Sequence, residues 1–101
     1  MHLVQLFLPL YGNDGRRFTR EPYDLVRNEL TERFGGLTAY TRAPATGLWE
    51  DGETTVRDDL VIYEVLVEVF DLDWWRSYRA ALEQRFRQEA FLIRAQEIQI
   101  V

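Results

Sequence analysis

Residues 59–87 constrain this chain more than any other stretch: an apolar strand there runs straight into an amphipathic helix. The strand is Leu60 to Phe70, reading LVIYEVLVEVF. Side chains alternate faces along a strand, so it presents two different surfaces. Odd positions give Val61, Tyr63, Val65, Val67 and Val69, an unbroken apolar face that calls for a helix layer. Even positions give Leu60, Ile62, Leu66 and Phe70, interrupted by Glu64 and Glu68. Burying one large apolar side chain stabilises by roughly 1.5–3 kcal/mol, so four left in water forfeit about 6–12 kcal/mol. That loss is comparable to the whole stability of a small domain. The even face therefore also needs a cover, and the chain has no spare element to supply one.

The rest reads as a second strand-plus-helix copy and two further strands. His2 to Leu10 is the first strand, with Val4, Leu6, Leu8 and Leu10 on one face and Leu3, Gln5 and Phe7 on the other. Its pattern matches the Leu60–Phe70 strand, which suggests that the two lie side by side. Tyr11 to Gly15 carries turn chemistry. A helix starts near Thr19 to Pro22, either capped by Thr19 or with Pro22 at its first position. Its stripe is Tyr23, Val26, Leu30 and Phe34. Glu29 and Arg33 have the spacing of an exposed ion pair, and Gly35-Gly36 ends the helix.

Leu37 to Ala43 is a short, more polar strand suited to a sheet edge. Residues 44–58 form a long connection rich in Gly, Thr and acid, carrying Trp49. After the Leu60–Phe70 strand, Asp71 or Asp73 caps a second helix with the stripe Trp75, Tyr78, Leu82 and Phe86. Arg79, Glu83 and Arg87 are spaced for pairing on its wet side. Glu89 to Val101 is the last strand; its apolar parity shifts near Gln96–Glu97, the mark of a bulge.

The order β-α-β-β-α-β is the ferredoxin-like arrangement, an α+β fold: a four-stranded antiparallel sheet, strand order 4-1-3-2, with two helices on one face. The whole chain of 101 residues reads as one domain. Two helix stripes cover only one sheet face. The natural cover for the other is a second copy of the same sheet, giving a homodimer of the dimeric α+β barrel kind. A different partner protein hiding the same face is the competing reading.

Composition closes off several classes of function. The net charge of −5, from 12 basic and 17 acidic residues, argues against nucleic acid and against an anionic membrane surface. With no cysteine there is no disulfide, thiolate nucleophile or cysteine-held zinc. The apolar opening lacks a basic segment and a small-residue cleavage site and is too short to span a bilayer, so the expected location is the cytoplasm. No Gly-rich phosphate loop opens a helix. Ser77 is the one serine and lies in a helix with no histidine in view. No cofactor and no metal site are expected.

The residues left for chemistry gather on the uncovered face. In the expected strand order, Arg94, Gln5, Glu64 and either Tyr40 or Arg42 form a polar row across an apolar surface. A carboxylate enclosed by Leu66, Ile62 and Phe7 suits proton transfer, because desolvation favours its neutral form. Placed beside an arginine, it instead stays ionised and serves as a salt bridge that sets dimer register. Trp49 is either a lid that stacks on a planar ligand or a side chain that pins its loop to the core. Trp74, with Trp75, is either core packing or the wall of a ligand site. Two functions follow: a homodimeric binding or structural module, or a cofactor-free small-molecule enzyme of the isomerase, cyclase or monooxygenase type.

The runs Arg33 to Thr38 (RFGGLT), Gly47 to Trp49 (GLW), Tyr63-Glu64, Tyr78 and Arg85 to Glu89 (RFRQE) resemble a family of small uncharacterised bacterial proteins of about this length. The resemblance spans nearly the whole chain. More distantly, the chain is similar to lipoproteins of unknown function, whose lipidation signal it lacks. The resemblance implies a bacterial origin and a ferredoxin-like fold, and it transfers no catalytic residue.

Overall fold

The computed structural model describes residues 1–45 and 58–101, with side chains described for residues 1–39 and 60–101. Six elements follow in the order β1 (His2–Pro9), α1 (Glu21–Phe34), β2 (Thr38–Ala45), β3 (Asp58–Val67), α2 (Leu72–Arg85) and β4 (Ile93–Glu97). The strands form one antiparallel sheet in the order β2-β3-β1-β4. This is the βαββαβ, α+β architecture that the periodicities imply, with β1 and β3 in the middle.

The register follows from the apolar pattern. β1 pairs with β3 from His2 opposite Val67 to Pro9 opposite Leu60. This places Val4, Leu6 and Leu8 on the same face as Val61, Tyr63 and Val65, and all six are buried. A slip of either strand by one residue would send its whole apolar set to the opposite face, so the pairing is strongly specified. The helices cover this face through Val26 and Leu30 of α1 and Trp75, Tyr78 and Leu82 of α2. Phe86 and Phe91 close the core beyond the end of α2.

Local chemistry sets the helix ends. The Asp71 carboxylate accepts a hydrogen bond from the Trp74 backbone N–H at 3.1 Å and caps α2. Gly35 ends α1 at φ +82°, a conformation that costs an L-residue with a side chain. Several expectations are corrected. Thr19 is not the cap of α1: Arg20 occupies that position with no side-chain hydrogen bond, and Pro22 sits in the first turn, where its missing N–H costs nothing. β2 runs to Ala45, and β4 is only five residues long. The register of β4 against β1 is regular from Ile93 to Glu97, so its shift of parity marks the end of the strand and not a bulge. The bulge lies elsewhere, between Tyr40 and Ala43 of β2.

The charged pairs also differ from the helical spacings. Glu29 binds Arg85 of α2 instead of Arg33, and Arg33 lies over the Trp74 ring at 4.2 Å. Arg79, Glu83 and Arg87 form no ion pairs among the described residues; Arg87 lies past the helix at φ +52°. A longer-range partner won for Glu29 and Arg33. Among the described residues, no helix is long and apolar enough to cross a membrane.

Candidate functional site

The sheet face turned away from the helices carries Leu3, Gln5 and Phe7 of β1, Ile62, Glu64 and Leu66 of β3, and Arg94 of β4. Leu3, Phe7 and Ile62 are half-buried, while Leu66 is 49% exposed and Leu92, just before β4 and beside Phe7, is 55% exposed. Within the described residues this face has no second layer.

A hydrogen-bonded row crosses it. Gln5 stands opposite Glu64 on one side and opposite Arg94 on the other. Arg94 Nε donates to Gln5 Oε1 at 2.7 Å, and Gln5 Nε2 donates to Glu64 Oε2 at 2.7 Å. Arginine can only donate and an ionised carboxylate can only accept, so these neighbours fix the orientation of the Gln5 amide. The Arg94 guanidinium also lies over the Phe7 ring, 5.0 Å from its centre. Neither the second Glu64 oxygen nor the terminal Arg94 nitrogens has a partner among the described residues. Among the described residues both ends of the row keep unused hydrogen-bonding capacity.

The fourth position of the row is Thr38, which pairs with Glu64. This corrects the expectation of Tyr40 or Arg42. Tyr40 pairs with Ile62, one step along the same face, and Arg42 falls within the register shift. Trp49, read as a lid or as a side chain pinning its loop, lies outside the described residues. Trp74 belongs to the helix layer on the other side of the sheet. It packs against Phe34, Trp75 and Tyr78, so it does not join the row. His2 stacks on Phe70 at 5.1 Å and also stands apart from the row.

Beside Glu64 the flat face opens into a groove of about 510 Å³. Leu3, Leu66, Leu37, Thr38 and Glu64 line it, and Gly35-Gly36 leaves one wall without side chains. A small molecule seated there meets an apolar surface and one carboxylate. That combination selects a ligand carrying a positive charge or hydrogen-bond donors. Sequence reading missed Thr38 and this groove. Both depend on where β2 enters the sheet after Gly36, which residue periodicity does not record.

A second polar cluster joins the helices. Glu29 of α1 accepts from Arg85 at 2.5 and 3.1 Å and from the Tyr78 hydroxyl at 3.1 Å. The Arg85 hydrogen bonds hold the Glu29 carboxyl below the usual carboxylate range. Burial, reinforced by the Glu29 charge, pushes Tyr78 well above the ordinary phenol. This cluster fastens α1 to α2 and is structural. Among the described residues there is no grouping of carboxylates and histidine that could hold a metal ion.

No protein-family model matches the chain, and no curated protein sequence matches it. Two solved structures do resemble its fold. One is a phage SAM lyase in complex with S-methyl-5′-thioadenosine, with a TM-score of 0.55 and 20% identity, aligned over 95% of this chain and 80% of that one. The other is a phage SAM lyase in the apo state, with a TM-score of 0.57 and 17% identity over 95% and 79% of the two chains. At these identities the likeness is one of fold.

Proposed function

We propose that this chain is a homodimeric, cofactor-free domain that binds and processes a small cationic molecule on its outer sheet face. The observation that carries the reading is the Arg94–Gln5–Glu64 row, set in an apolar surface beside an open groove. A second copy laid on that face would remove Leu66 and Leu92 from water and enclose the carboxylate. Enclosure strengthens its pull on a positive charge, because attraction grows as the dielectric falls. The fold likeness to a phage SAM lyase supports the same reading, since that enzyme processes a small sulfonium compound on this architecture. Glu64 takes the proton from the carbon next to the sulfonium-bound carbon, that C–H pair becomes a C=C bond, and the C–S pair stays on sulfur as a neutral thioether, of which S-methyl-5′-thioadenosine is one. SAM is therefore the first substrate to test.

The test is incubation with SAM and quantification of S-methyl-5′-thioadenosine by mass spectrometry. Turnover is expected with the native chain. It should fall by at least about 100-fold in Glu64→Gln, the low end of what a group engaged in proton transfer contributes. No product, together with no saturable SAM binding, would sink the enzymatic reading for this substrate.

One observation favours a second reading. The Gln5 amide is already matched on both sides within the chain, as in a structural brace that sets dimer register. In that case Glu64→Gln weakens the dimer in native mass spectrometry, and there is no turnover or bound small molecule to lose.

A further inference from the structure

All 12 cationic side chains of this acidic protein are arginines, and three of them surround one cavity. The cavity measures about 280 Å³ and lies on the helix side of the sheet, across from Glu64. Its floor is Leu10, Val61 and Tyr63, all core residues, and the rings of Phe18 and Tyr23 flank it. Arg17, Arg20 and Arg27 form its rim, with Asp24 the one acid among the lining residues.

The chain holds these arginines at defined places. The turn after β1 is closed by Gly12 N–H donating to the Arg16 carbonyl at 2.8 Å and Phe18 N–H donating to the Leu10 carbonyl at 2.9 Å, with Tyr11 and Arg17 in a β-bridge. Arg20 precedes α1, and Arg27 lies seven residues on, two turns along the helix. Asp24 approaches Arg27 at 3.9 Å with both side chains about half exposed, a weak pair in water. Arg17 and Arg20 form no ion pair among the described residues. Among the described residues three guanidinium groups thus face one carboxylate, a local excess of two positive charges. Burial pushes the Tyr23 phenol up to about 12, so the wall beside the rim stays neutral at physiological pH.

We propose that this cavity binds a small doubly charged oxyanion carried on a flat apolar body, of the aryl phosphate class. The guanidinium fork matches phosphate oxygens in paired hydrogen bonds, and the apolar floor takes the ring. The volume, close to the roughly 300 Å³ lower bound for ligand pockets, suits one ring and one phosphate. The net charge of −5 repels anions at long range, so binding here has to come from the local arrangement.

The test is calorimetric titration of the full chain with phenyl phosphate, with inorganic phosphate and phenol as partial ligands. One-to-one saturable binding is expected for phenyl phosphate, tighter than for either fragment. Arg17→Ala with Arg20→Ala should weaken it at least tenfold while circular dichroism stays unchanged. Arg76→Ala with Arg79→Ala removes the same charge away from this cavity and should leave the affinity within twofold. Absence of saturable binding, equal affinity in the Arg17/Arg20 variant, or equal loss in the Arg76/Arg79 variant would each overturn the proposal. Inorganic phosphate binding as tightly as phenyl phosphate would overturn the assignment of the apolar floor.

Discussion

Glu29 shows how one side chain is claimed by competing partners. Its neighbour one helical turn away, Arg33, has the right spacing, yet Arg85 takes it from across the helix interface. The gain is a two-point contact plus the Tyr78 hydroxyl, while Arg33 finds the Trp74 ring. The stability consequence has a definite sign. The folded-state value of Glu29 is depressed, so its contribution is present above the unfolded carboxyl value of roughly 4.3 and is lost as pH falls through the lower, folded value. Glu29→Gln should therefore be less stable than the native chain at pH 7, by about 1 kcal/mol after discounting for the solvent around a half-exposed pair. The gap should close on acidification below pH ~4. Urea denaturation of both chains across that range checks it.

At the scale of elements, the sequence is most legible where one periodicity governs. The alternation in β1 and β3 and the stripes of α1 and α2 can be read directly, because each pattern records a buried face. The α2 start is legible to within two residues, Asp71 or Asp73, and the hydrogen bond to the Trp74 N–H selects Asp71. Asp71→Ala should cost about 1 kcal/mol, seen as a lower thermal midpoint with the fold intact. Legibility fails where an outcome depends on two elements at once. Thr38, and not Tyr40 or Arg42, faces Glu64 because the β2 register is set by the bulge between Tyr40 and Ala43. No residue pattern within β2 announces that bulge. β4 is shorter than its apolar content suggests because pairing with β1 stops at His2, opposite Glu97. For the candidate site, the central trio Arg94, Gln5 and Glu64 follows from strand order and parity alone. The adjoining groove does not, since it depends on the backbone path through Gly35-Gly36.

For the whole molecule, the two sheet faces ask for different partners. The helix side is covered by α1 and α2 apart from the arginine-rimmed cavity, whereas the outer side keeps Leu66 and Leu92 half in water. If a second copy covers that face, Leu66→Arg buries a charge in the contact, and such a change destabilises association strongly. Light scattering should then report a monomer, with circular dichroism little altered and a lower thermal midpoint, because the second copy no longer stabilises the folded state. A variant that remains dimeric would move the contact to another surface.

The polar row has a consequence for how the protein comes into being. Gln5 lies near the start of the chain and Arg94 near its end, 89 positions apart. During synthesis the first helix and the middle strands are available long before β4 is made. Until Arg94 emerges, the Gln5 amide has only Glu64 to orient it, and its carbonyl lacks the Arg94 donor. Contacts this distant in sequence form late in folding. The row therefore closes only once β4 pairs with β1, and a chain cut before Arg94 would keep the Gln5–Glu64 half alone.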